Sequence, residues 1–130
     1  MKTKTFNVDE LNQFTGTEAW YKHWLSGMVY TDGIKYMAEE AGAYWLIDEI
    51  AIRLPSVIKK YPEYFYAVKF IAKNNDKAII EFTDGNNTAL KKVHIQFTDF
   101  PVKEQTLTFF LSPLPIKDKR HWCLMLASEY

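Results

Sequence analysis

The chain has 130 residues, a formal charge of zero, 48% apolar and 16% aromatic side chains. This composition excludes a disordered or collagen-like chain, and the length suffices to bury a core without disulfide or metal. Sixteen Lys and Arg balance sixteen Asp and Glu, which weighs against a free-standing, non-specific nucleic-acid binder, because phosphate neutralisation needs excess cations.

Residues 66–130 carry nine basic and seven acidic side chains, a mild positive tilt, and fourteen of the sixteen cations are Lys. Cys123 stands alone, so an internal disulfide is impossible and a reducing cytoplasm is expected. Met1 to Phe6 are positively charged with no apolar run behind them, and no stretch reaches the ~18 apolar residues of a span. The expectation is a cytoplasmic protein without export signal or membrane contact.

Hydrophobic period divides one expected domain, 1–130, into a helical part (1–62) and a sheet part (63–130). Asp9 to Phe14 reads as a short helical turn. Thr17 is a candidate N-cap for a helix through Leu25, with Trp20, Tyr21 and Trp24 grouped on one face. Thr31-Asp32-Gly33 reads as the next start. Ile34, Met37, Ala38, Ala41 and Trp45 then form a helical stripe, which Leu46, Ile50, Leu54 and Val57 continue towards Tyr61. Gly42 is a soft spot, and Pro55 should break or kink the run.

From residue 64 the period becomes two. Tyr66, Val68, Phe70 and Ala72 alternate with Ala67, Lys69, Ile71 and Lys73. Asn74-Asn75-Asp76 is a turn, and Asp84-Gly85 is a hairpin signal after the strand Ala78, Ile80, Phe82. Val93, Ile95 and Phe97 form a third strand, ended by Asp99-Phe100-Pro101. Leu107, Phe109 and Leu111 form a fourth. Pro113 and Pro115 mark a longer connection to a fifth, Trp122, Leu124 and Leu126. The expected architecture is α+β: helices over about 9–60 packed on one face of a five-stranded antiparallel meander over about 64–127.

Several segments form a recognisable set: residues 14–18 (FTGTE), 30–33 (YTDG), 41–48 (AGAYWLID), 83–86 (TDGN), 97–101 (FTDFP) and 126–130 (LASEY). They resemble a family of small single-domain proteins of unknown function found in bacterial, phage and plasmid genomes. Its members usually end in Leu-Pro-Ser-Glu-Tyr; here Ala127 replaces the proline. The resemblance carries no activity. It implies an accessory protein of mobile elements, a class that includes inhibitors of host defence such as anti-CRISPR proteins.

Candidate chemistry is sparse. Asp32, Glu39, Glu40, Asp48 and Glu49 crowd the helical part. On one continuous helix Glu40 and Asp48 would lie about 12 Å apart, beyond the ~5–9.5 Å of paired catalytic carboxylates, so a solvated helix face is the simpler reading. His23, His94 and His121 match no metal motif; His121 and Cys123 share a strand face, and His94 is the one plausible third ligand. Ser26, Ser56, Ser112 and Ser128 show no nucleophile motif, and no glycine loop cradles phosphate. No cofactor or metal is expected.

The second face of the sheet is the expected binding surface. It carries Lys69, Lys73, Lys92, His94, Gln96, Phe110 and Met125, with Glu81, Thr106, Thr108, Ile71 and Ile79 among them. Apolar groups on a face left to water imply a cover or a partner. The leading expectation is a non-enzymatic interaction protein that binds a host protein or ribonucleoprotein there, RNA included, with inhibition of an RNA-guided nuclease as its most concrete form. A homodimer or oligomeric scaffold would use the same patch. The alternative from another class is a small metal-dependent hydrolase or nucleotide-modifying enzyme built on His94, His121 and Cys123.

Overall fold

The computed structural model describes residues 8–24, 27–86, 88–101, 104–116 and 119–130. Met1 to Phe6, Leu25 and Ser26, which entered the reading above, lie outside them. A short 3-10 helix, Val8–Gln13, comes first, as the turn over 9–14 anticipates.

The expected helix over 17–25 is instead a strand. Strand β1 (Trp20–Lys22) pairs antiparallel with β2 (Val29–Thr31). Thr17 caps no helix of its own. Its hydroxyl donates to Ala19 O at 2.6 Å and accepts from Asp32 N at 3.0 Å. The Asp32 carboxylate in turn accepts Glu18 N at 3.0 Å and the Tyr21 hydroxyl at 2.8 Å. An isolated two-turn helix is marginal in water, and Trp and Tyr suit a pleated surface, so these long-range bonds decide the outcome.

Helix α1 (Asp32–Ala41) starts where Thr31-Asp32-Gly33 places it, with the Thr31 hydroxyl accepting Ile34 N at 3.4 Å. Gly42, at φ 64°, ends it in the left-handed conformation that glycine adopts without strain. Helix α2 (Tyr44–Lys60) then runs unbroken through Pro55. Burial of Leu46, Ile47, Ile50, Ala51, Leu54 and Val57 on one stripe outweighs the backbone hydrogen bond that the proline removes.

Five further strands follow: β3 (Tyr66–Ala72), β4 (Ala78–Thr83), β5 (Ala89–Ile95), β6 (Gln105–Ile116) and β7 (Lys119–Leu126). The five expected strands all exist, but they do not form a meander. The order is β1-β2-β7-β6-β3-β4-β5 in one seven-stranded mixed sheet. Strand β6 pairs with β3, not β5, so β3–β6 make a Greek key. After β5 the chain is held at the turn of the β3–β4 hairpin, with Thr98 N bonded to Asp76 O at 2.7 Å. Phe100, read as part of the segment that ends the third strand, is buried with its ring 4.8 Å from that of Phe70. Alternation tells which face a side chain takes but not which strand lies alongside.

Two smaller corrections have the same origin. Phe97, expected in the third strand, lies past the end of β5 and is 72% exposed. Pro113 and Pro115 lie inside β6, paired with Trp122 and Arg120 of β7. Strand β3 reaches only to Leu111 on the other side, and a strand tolerates proline along a free edge.

Both helices pack on one face. Ile34, Met37, Leu46, Ile50 and Leu54 share one core with Val68, Phe70, Phe82, Phe109 and Leu111. The parallel β2–β7 pair brings the start of α1 beside the last residues of the chain. There the Glu129 carboxylate accepts Gly33 N at 3.1 Å, the Thr31 hydroxyl at 2.5 Å and Leu126 N at 3.0 Å. Ser128 reaches back to Leu11 O at 3.3 Å, joining the N-terminal 3-10 helix to the C-terminal one, Ala127–Glu129.

Glu129→Ala removes three hydrogen bonds to a carboxylate at a helix N-terminus and should cost about 1.5–3 kcal/mol. Gly33→Ala should destabilise by the same route, since its Cβ would stand 2.6 Å from Glu129 Oε1 and 2.5 Å from Leu126 Cδ1. A urea midpoint equal to that of the wild type in both variants would refute this role.

Candidate functional site

Neither α1 nor α2 packs on the opposite face of the sheet, and the strand register sets out its side chains in rows. One row is Thr108, Lys69, Glu81 and Lys92 across β6, β3, β4 and β5. Lys92 Nζ lies 3.6 Å from Glu81 Oε2. Glu81 therefore offsets part of the positive charge, and the row is less basic than its lysines suggest. The next row is Thr106, Ile71, Ile79 and His94.

Beyond the strand ends, the β3–β4 hairpin closes with Lys73 N bonded to Lys77 O at 2.8 Å, and Asp76 takes φ 61° in its turn. This places Lys73, Lys77, Asn75, His94 and Gln96 around a shallow concavity of about 340 Å³ at the end of the sheet, with Ile79 and Ile95 also in its lining. No carboxylate lines it among the described residues. Three of the expected residues, Lys73, His94 and Gln96, thus meet at one place.

Phe110 and Met125 face each other at the other end. Phe110 is not bare. Phe65 stands 5.0 Å and Tyr130 5.4 Å from its ring, and Phe65 and Tyr130 are 5.2 Å apart. Tyr130 stays 73% exposed. Phe110 pairs with Ala67 and His94 with Ile79, which itself faces Ile71. Four residues along β3 at ~3.3 Å each separate the two rows by about 13 Å. Of the seven expected residues, Lys69, Lys92, His94, Phe110 and Met125 share a face by register, and Lys73 and Gln96 lie just past the ends of β3 and β5. Phe65 and Tyr130 were missed because their ring contacts depend on the chain end folding back.

The alternative catalytic cluster is not assembled. His94 lies on β5 and Cys123 on β7, with β4, β3 and β6 between them, about 19 Å at ~4.8 Å per strand. Among the described residues no three of His, Cys, Asp and Glu group to hold a metal ion. Cys123 is buried, and burial pushes its thiol up to about 12. His121 Nδ1 sits 3.1 Å from Gly27 O.

Of the five carboxylates singled out in the helical part, Asp32, Glu39, Asp48 and Glu49 are occupied in the fold. Glu39 takes the Tyr44 hydroxyl at 3.1 Å, and Glu49 pairs with Arg53 at 3.1 Å. Asp48 accepts the Trp24 indole N–H at 3.1 Å and lies 2.7 Å from Nε2 of His23, which is buried. Twenty-five residues separate that His and Asp, so no local pattern announces the pair. Trp20 and Trp24, expected on a helix face, sit in and just after β1 and are 46% and 76% exposed.

The segments quoted for the resemblance have architectural work. Residues 14–18, 30–33 and 126–130 meet at the start of α1 through Thr17, Asp32 and Glu129. Gly42 ends α1, Asp84 accepts Asn86 N at 2.8 Å and Thr88 N at 2.9 Å, and Thr98 accepts Phe100 N at 3.1 Å. A family model matches residues 5–130, nearly the whole chain. The chain belongs to the family of unknown function DUF6876. No curated protein and no solved structure matches it. For this DUF6876 chain the quoted segments supply caps and turns to the fold.

Two predictions follow from these environments. Cys123 should resist alkylation by iodoacetamide at pH 8 in the folded protein and react fully once unfolded; rapid labelling of the native state would contradict its burial. Asp32 is held below the ordinary carboxylate value of 3.8 by Glu18 N–H and the Tyr21 hydroxyl, and Asp84 by the N–H groups of Thr88 and Asn86. Each stabilises the fold above its unfolded value, and that contribution is lost as pH falls through the lowered one. The double variant Asp32→Asn, Asp84→Asn should flatten the decline of the urea midpoint below pH 4, and an unchanged slope counts against it.

Proposed function

We propose that this DUF6876 protein is a non-enzymatic binding protein whose partner, a protein or ribonucleoprotein, docks on the helix-free face of the sheet. The observation that carries the reading is the make-up of that face. It has an aromatic end, Phe65, Phe110 and Tyr130 beside Met125, and a lysine-bearing end with His94 and Gln96. Aromatic and methionine side chains supply the desolvated centre of a docking surface, and the polar end supplies steering and register. Lys73, Lys77 and His94 suit phosphates or acidic side chains. The separation of His94 from His121 and Cys123 supports binding over catalysis.

We place this activity in the cytoplasm, on the lone Cys123; no described helix is long and apolar enough to cross a membrane. Inhibition of an RNA-guided defence nuclease is the narrower form, and it rests on the resemblance alone.

The test is capture from a host lysate with tagged protein, with and without RNase, comparing the wild type with Lys69→Glu, Lys92→Glu and with Tyr130→Ala. The charge-reversal pair should lower the amount captured by about tenfold, equivalent to ~1.4 kcal/mol, while Tm shifts by only a few degrees. Loss of capture with RNase identifies a ribonucleoprotein. Equal capture by all variants removes this face from consideration.

A further inference from the structure

On the helix-bearing side, the second half of α2 stands off the start of β7 and leaves a groove of about 550 Å³. Its walls are Leu54, Pro55 and Ile58 of α2, Met28 before β2, and Trp122 of β7. The Trp122 ring is steadied by Tyr66, 5.2 Å away, and the Tyr66 hydroxyl is anchored to Tyr61 O at 2.6 Å. Arg120 is the one charged side chain in the lining; it is exposed and makes no ion pair with a described residue. No carboxylate lines the groove among the described residues.

We propose that this groove is a binding site for a small amphipathic carboxylate, its alkyl chain between Leu54, Ile58 and Trp122 and its head group on the Arg120 guanidinium. The volume falls within the ~300–1,000 Å³ of small-molecule sites, and an apolar cleft with one convergent cation is their usual make-up. Arginine binds a carboxylate through two parallel N–H···O bonds, which fixes the orientation of the head group. The site lies across the sheet from the docking face and is independent of the function proposed above.

Calorimetric titration of the full chain with octanoate, decanoate and decanol tests the proposal, with the Trp122 indole N–H followed by NMR. Decanoate should bind saturably and shift that resonance, and each methylene added from octanoate should tighten binding by up to about fourfold. Arg120→Gln should weaken decanoate by about tenfold or more while leaving decanol unchanged. Lys91→Gln, at the far edge of the sheet, should leave both unchanged. Absence of saturable binding, an Arg120→Gln variant that binds decanoate as the wild type does, or equal losses for Arg120→Gln and Lys91→Gln each overturn the assignment.

Discussion

The Glu129 carboxylate at the start of α1 is the contact on which the rest of the molecule depends. A helix N-terminus leaves N–H groups without partners and carries a partial positive charge. Here Thr31 satisfies one of those groups, and a carboxylate from 96 residues further along satisfies another. The same carboxylate takes the Thr31 hydroxyl and Leu126 N, so one charged group ties β2, α1 and the end of β7 together. Only a residue without a Cβ leaves room for it at position 33.

That tie shapes both faces of the sheet. Holding Glu129 delivers the next residue, Tyr130, onto Phe110 and Phe65. The aromatic end of the helix-free face is therefore a product of the cap and not of β6 alone. On the other face, α1 and α2 share one core with the strands, and Leu54 and Ile58 of α2 come beside Trp122 of β7. The groove beside Trp122 lies where α2 leaves the start of β7 uncovered.

Charge is distributed in a way the zero total conceals. Asp32, Glu39, Asp48 and Glu49 of the helical part are spent on Tyr, Trp, His and Arg partners and on a backbone N–H group. Lys73 and Lys77 at the β3–β4 hairpin have no such partners among the described residues. A balanced chain thus presents a locally basic surface, although Glu81 tempers the row that Lys69 and Lys92 occupy.

Much of this was legible in the residues. The stripe from Ile34 to Val57, the Thr31 cap, the alternation in five strands and the shared face of Lys69, Lys92, His94, Phe110 and Met125 are consequences of periods 3.6 and 2, which act within a few residues. What only the tertiary structure decided is everything that depends on neighbours distant in the chain. Residues 20–22 became a strand because Asp32 and Thr17 hold them there, and β6 took its place beside β3 because Phe100 is buried on Phe70. The same strand order parts His94 from Cys123. Local periodicity fixes the side a residue faces. The order of strands is set by the long-range burial and hydrogen bonding that close the core, and no window of sequence contains both partners.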